Sequence, residues 1–111
     1  MTTPPLLKGS LQTILLKLLA DHQHMYGYEI TQKVKEITSG QLVLNQGALY
    51  PALHKLEAEG ILETYTEIVD GRARKYYRLT ASGKKDKDHK LQEAQEFIVQ
   101  LQKLLNLKPA L

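Results

Sequence analysis

Apolar positions along the chain follow one period in its first half and another in its middle. Leu11, Ile14, Leu15, Leu18 and Leu19 fall at i, i+3, i+4, i+7 and i+8, the buried stripe of a helix. Residues 1–7, with Pro4 and Pro5, lie ahead of that stripe and predict a loose arm. A second helix is expected from about Tyr26 to Thr38, burying Ile30, Val34 and Ile37 and stopping at Ser39-Gly40. Leu42 to Leu44 is a short extended piece. From Asn45, a good N-cap, a third helix repeats the buried template through Leu49, Ala52, Leu53 and Leu56 and closes at Gly60. Pro51 argues against that start, because it lacks an N–H and pushes Tyr50 toward an extended conformation.

The period then shortens to two. Residues 61–69 and 74–79 are β-rich runs on either side of Asp70-Gly71, a strong hairpin signal. With those two residues as the loop, Glu67 faces Arg74, Tyr65 faces Tyr76, Glu63 faces Arg78 and Leu62 faces Leu79. Opposite charges and like rings then pair in one register. A longer loop over 70–73 would scramble it and stays open. Tyr76 and Tyr77 alternate, so one ring is expected in the core and the other outside. Arg72 and Lys75 have no acid opposite them.

A last helix follows Thr80-Ala81-Ser82 to about Leu107. Within it Leu91, Ala94, Ile98, Leu101 and Leu105 are spaced 3, 4, 3, 4, a coiled-coil seam that Phe97 and Leu104 widen. A chain of 111 residues has little core left to cover that stripe, so a second subunit is expected.

Composition narrows the function. There is no cysteine, hence no disulfide, thiolate metal site or cysteine nucleophile. Net charge is only +3, but its distribution is uneven. Between Gly71 and Lys90 eight Lys and Arg face two Asp, whereas Glu57 to Asp70 holds five acids and no base. Lys8 followed by residues 11–20 faintly imitates a signal peptide, but Gln12 and Lys17 interrupt it. No segment is long enough to span a bilayer, and a cytoplasmic protein is expected. His22, His24 and His89 are too few and too scattered for a metal site, so neither metal nor cofactor is expected. Phosphate-loop, dinucleotide-binding, nucleophile-elbow and zinc-protease motifs are absent, and an enzyme is not expected.

The fold class this order predicts is mostly α with a small β hairpin. It is a winged helix-turn-helix over residues 8–80, preceded by the arm at 1–7 and followed by a dimerisation helix at 81–111. In such a domain the third helix enters the major groove of double-stranded DNA while the hairpin meets phosphates or the minor groove.

Three stretches, MYGYEI (25–30), LNQGALYPALHKLEAEGIL (44–62) and GRARKYYRLTASG (71–83), closely resemble the PadR family of bacterial transcriptional regulators. The resemblance covers about residues 7–83. It implies that the third helix runs through LYPAL despite the proline, and that the last helix makes the chain a short-form homodimer. Members usually repress transcription, several releasing DNA when a small molecule binds. Asn45, Gln46, Gly47, Leu49 and Tyr50 match the start of the family's recognition helix, and Tyr26 and Gly27 the start of the helix before it. Gly71, Arg72 and Arg74, with Lys75 beside them, match the wing; Ala73 stands where proline is frequent.

Blander readings accompany each of these. Tyr50 donates to a phosphate or packs beneath its helix. Gly47 allows close backbone approach or is simply tolerated in a first turn. His54, Lys55 and the run Lys84, Lys85, Lys87 and Lys90 are DNA contacts or solvated faces. Leu11, Leu15, Phe97 and Leu101 would line an effector pocket at the dimer interface, or the plain apolar interface itself. A winged-helix adaptor that reads no DNA is the rival function, and a basic peripheral membrane element the third.

Overall fold

The computed structural model describes residues 3–108. The chain opens on a short helix, α1 (Pro5–Gly9), where proline is tolerated because the first turn needs no N–H. This corrects the loose arm at its inner end: Leu7 is buried, and the Asn45 N–H donates to Thr3 Oγ1 at 3.1 Å. The remainder of the arm, Met1 and Thr2, lies outside the described residues. Helix α2 (Leu11–His22) buries Leu11, Leu15, Leu16, Leu18 and Leu19 at the centre of the core.

Met25–Tyr26 form a two-residue strand, β1, that the sequence did not signal. It pairs antiparallel with a strand about fifty residues later, Met25 opposite Tyr77 and Tyr26 opposite Tyr76. Helix α3 therefore begins at Gly27 rather than Tyr26 and runs to Ile37 (Gly27–Ile37). Ile30 and Val34 are buried as expected, but Ile37 is 64% exposed because the helix ends before its last turn reaches the core.

Asn45 does cap the third long helix, α4 (Gln46–Ala58), its side-chain oxygen accepting from the Ala48 N–H at 2.9 Å. Pro51 sits inside the helix, and Leu49, Leu53 and Leu56 are buried on either side of it. Their burial outweighs the local preference of Tyr50. Gly60, with φ +76°, closes the helix: its N–H reaches Glu57 O at 3.0 Å and that of Ile61 reaches Leu56 O at 3.0 Å.

Strands β2 (Leu62–Val69) and β3 (Arg72–Leu79) form the hairpin in the two-residue register, and the sheet order is β1-β3-β2. Asp70 and Gly71 both have positive φ, 52° and 76°, as a tight primed turn requires. Tyr76 and Tyr77 are both buried, so the expected division between core and surface fails. Tyr77 lies in the core, while Tyr76, on the other face, is covered by rings. Tyr65 stacks on it at 5.4 Å, His24 at 4.9 Å, and Tyr26 meets it edge-on at 5.5 Å.

Thr80 joins the hairpin to the last helix, α5 (Ala81–Leu105). Its N–H donates to Ile61 O at 3.1 Å, its hydroxyl donates to Gly60 O at 2.7 Å, and the hydroxyl oxygen accepts from Gly83 N–H at 3.0 Å. A Cβ on Gly83 would collide with Ile61 O, so this contact requires glycine. From that joint the first half of α5 runs antiparallel along α2, Lys84 and Lys87 beside Leu19 and Gln23, and Ala94 and Phe97 beside Ser10 and Ile14. No helix among the described residues is long and apolar enough to cross a membrane.

Candidate nucleic-acid interface

Helices α3 and α4 with the β2–β3 hairpin bring part of the sequence-derived site into one cleft. Tyr26, Gly27, Tyr50, Arg74 and Lys75 line a single cleft with His54, Ala73 and Tyr77. The first turn of α4 presents Gln46 and Gly47 to solvent, and Gly71 and Arg72 form the exposed wing tip. Leu49 is the exception. It is entirely buried, because its place in the helical stripe points it into the core, and it cannot touch DNA.

Tyr50 has a position that neither simple reading described. It is half-buried, and its ring lies over Gly27 so closely that a Cβ there would collide with the phenol oxygen. Gly27 thus leaves room for the Tyr50 ring, whose contact joins α4 to the start of α3. Gly47 is different: an added Cβ would meet only Asn45 Oδ1, at an ordinary 3.5 Å. The fold itself places no demand on Gly47. Tyr28, on the first turn of α3, is more than half exposed.

On the wing, cations are divided between structural and free. Arg78 pairs with Glu63 at 2.9 Å, as the register implies, with its guanidinium 5.1 Å above Tyr65. Arg74 lies opposite Glu67 but does not pair with it. It stacks 4.5 Å over the Tyr26 ring instead, and the adjacent Tyr76 hydroxyl raises its already high pKa. Lys75, expected to lack a partner, meets Glu57 of α4 at 3.5 Å, and Thr64 donates to the same carboxylate at 3.2 Å. Glu57 ties the wing base to α4, a contact across distant segments that no strand register could forecast. Burial pushes the neighbouring Tyr77 phenol up. Arg72 has no ion-pair partner among the described residues.

The proposed interface residues on α5 divide too. Phe97, Ile98 and Leu105 are 62%, 54% and 57% exposed, and Leu91, Ala94 and Leu101 are half-buried. Leu11 and Leu15 belong instead to the protomer's own core, at 3% and 0% exposure, and line neither a dimer interface nor an effector pocket. Lys84 and Lys85 are exposed on α5, while Lys87 pairs with Asp88 at 2.7 Å. His24 is held in the aromatic stack and His89 pairs with Glu93 at 2.7 Å, on different elements.

A helix-turn-helix whose second helix lines a cleft with a basic hairpin defines a winged-helix DNA-binding protein. The family model described as the transcriptional regulator PadR-like family matches residues 15–88, and the chain belongs to that family of DNA-binding regulators rather than to any enzyme class. It is 36% identical over 77 residues to transcriptional regulator Rv3488 of Mycobacterium tuberculosis, covering 69% of this chain and 68% of that one. A transcriptional regulator from Clostridium thermocellum superposes with a TM-score of 0.75 at 30% identity, over 93% of this chain and 96% of the other. A PadR-like transcription factor from Bacteroides fragilis gives a TM-score of 0.72 at 30% identity, over 87% and 91%.

Proposed function

We propose that the protein is a cytoplasmic repressor that binds a pseudo-palindromic duplex as a homodimer, each protomer setting the first turn of α4 in a major groove and its wing on the flank. One observation carries this reading. Gln46 and Gly47 are exposed at the start of α4, and Tyr50 of the same helix lines one cleft with Arg74 and Lys75 of the basic wing. An adaptor that ignored DNA would have no use for that combination. Gln46 is the base reader, since its amide suits adenine and Asn45 is engaged as the cap. Tyr26, Tyr50 and Arg74 position the backbone.

Dimerisation rests on the exposed stripe of Phe97, Ile98, Leu104 and Leu105, which a second α5 would cover. That stripe supports a plain apolar interface; a small-molecule effector would have to enter beside Phe97, since Leu11 and Leu15 are closed off. The test is selection of bound duplexes from a random pool. An inverted repeat is expected. Enrichment of an asymmetric site would contradict the homodimer, and no enrichment at all would contradict sequence-specific binding.

A further inference from the structure

Ile68, two residues before the turn, is 72% exposed and covered by no element of the described chain. Strand alternation shows which way it faces. Thr64, Thr66 and Ile68 share a face with Ala73, Lys75 and Tyr77. That is the face toward α4, because Thr64 and Lys75 both meet Glu57. Arg72, opposite Val69, belongs to the other face with Arg74 and Arg78.

The tip therefore carries an apolar side chain on the recognition-helix side and a free cation on the reverse. A wing laid flat on phosphates would turn its cation toward the DNA and keep apolar groups away from it. Here the side of the tip toward α4 carries Ile68 and Ala73, and Lys75 beneath them is already paired with Glu57. A tip that enters a groove edge-on shows both faces to the groove walls, which suits an isoleucine on one and an arginine on the other.

We propose that Ile68, backed by Ala73, is a minor-groove contact that extends the protein's specificity to base pairs flanking the major-groove half-site. The inference rests on the DNA-binding reading above. Minor-groove proteins press aliphatic side chains against the floor and sugar walls of the groove. The floor is open at A·T pairs and obstructed at G·C pairs by the guanine 2-amino group. Ile68 thus favours flanking pairs that lack this group. A β-branched residue also suits any exposed strand, so the informative replacement keeps the branching.

The probe is the duplex this protein enriches from a random pool, with its flanking pairs set in turn to A·T, inosine·C and G·C. Inosine·C keeps the major-groove edge of G·C but lacks the 2-amino group. Wild-type protein is expected to bind the A·T and inosine·C duplexes alike and the G·C duplex about fivefold more weakly, the scale of one buried methyl-sized contact. Ile68→Thr should lose this discrimination while keeping its preferences within the half-site. Equal wild-type binding to all three duplexes, or unchanged discrimination in Ile68→Thr, overturns the inference and leaves the proposed function standing. Failure of the wild-type chain to enrich any duplex overturns both.

Discussion

Arg72 and Arg78 stand on one strand and have different tasks. Arg78 is held by Glu63 and Tyr65 inside the hairpin, whereas Arg72 stands at the tip with no ion-pair partner among the described residues. Each phosphate contact contributes about −0.9 to the slope of log K against log salt. Arg72→Ala should flatten that slope by about 1.8 for a dimer with two wings, with sequence preference unchanged. Arg78→Ala should leave the slope alone and lower stability by less than about 1 kcal/mol, its pair being half exposed. Salt titrations of both variants check this, and the reverse pattern would show that the free cation has been misassigned. Gln46→Ala belongs to the same scale. It is expected to cost about 1–3 kcal/mol at one operator position per half-site and to relax the preference there, measured against single-base operator variants. Uniform weakening would make Gln46 a backbone contact. The charge pairing of the wing was legible because four cross-strand pairs agreed on one register. Lys75 was not, since Glu57 reaches it from another element; the burial of Leu49 was legible in its own helical spacing.

At the scale of elements, two glycines separate folding from binding. Gly27→Ala drives a methyl group into the Tyr50 ring and should destabilise the α3–α4 pair by about 1–3 kcal/mol, as overpacking does. Gly47→Ala meets only Asn45 Oδ1, at an ordinary van der Waals distance. It should leave stability unchanged or raise it by up to about 1 kcal/mol, and still weaken DNA binding if the backbone approaches a phosphate. Thermal melts beside binding isotherms distinguish the two; a destabilised Gly47→Ala would assign that glycine to the fold. In α5, Ile98→Asp places a charge where the second subunit would bury it, at a cost of several kcal/mol. Because Ile98 is 54% exposed in the single chain, the variant should remain folded, and sedimentation should find monomer at micromolar concentration. A persistent dimer would put the interface elsewhere. The helices were readable from their stripes and caps, including α4 through its proline. Strand β1 was not, because two residues carry no periodicity and its partners Tyr76 and Tyr77 are remote in sequence. Nor was α1, where paired prolines suggested a loop although one of them suits a first turn.

Across the whole molecule, α5 would link the proposed dimerisation to DNA reading. The Thr80 and Gly83 contacts with Gly60 and Ile61 fix its start to the wing base, and its first half lies along α2. The spacing between two recognition helices would then be set by how two α5 helices cross, and the class of protein follows from the head that α5 carries. The sequence displayed this arrangement as three signals in order: helical stripes, an Asp-Gly hairpin and a seam with nothing left to cover it. Two heads held at a fixed separation must meet two half-sites on one face of the duplex. The most direct test is to insert five base pairs at the centre of the selected operator, turning one half-site about half a helical turn away from the other. Affinity should fall by at least about tenfold, toward that of a single half-site, and recover in part when the insertion is about ten base pairs. Affinity indifferent to the insertion would mean that each chain binds alone, and would contradict the dimeric reader described here.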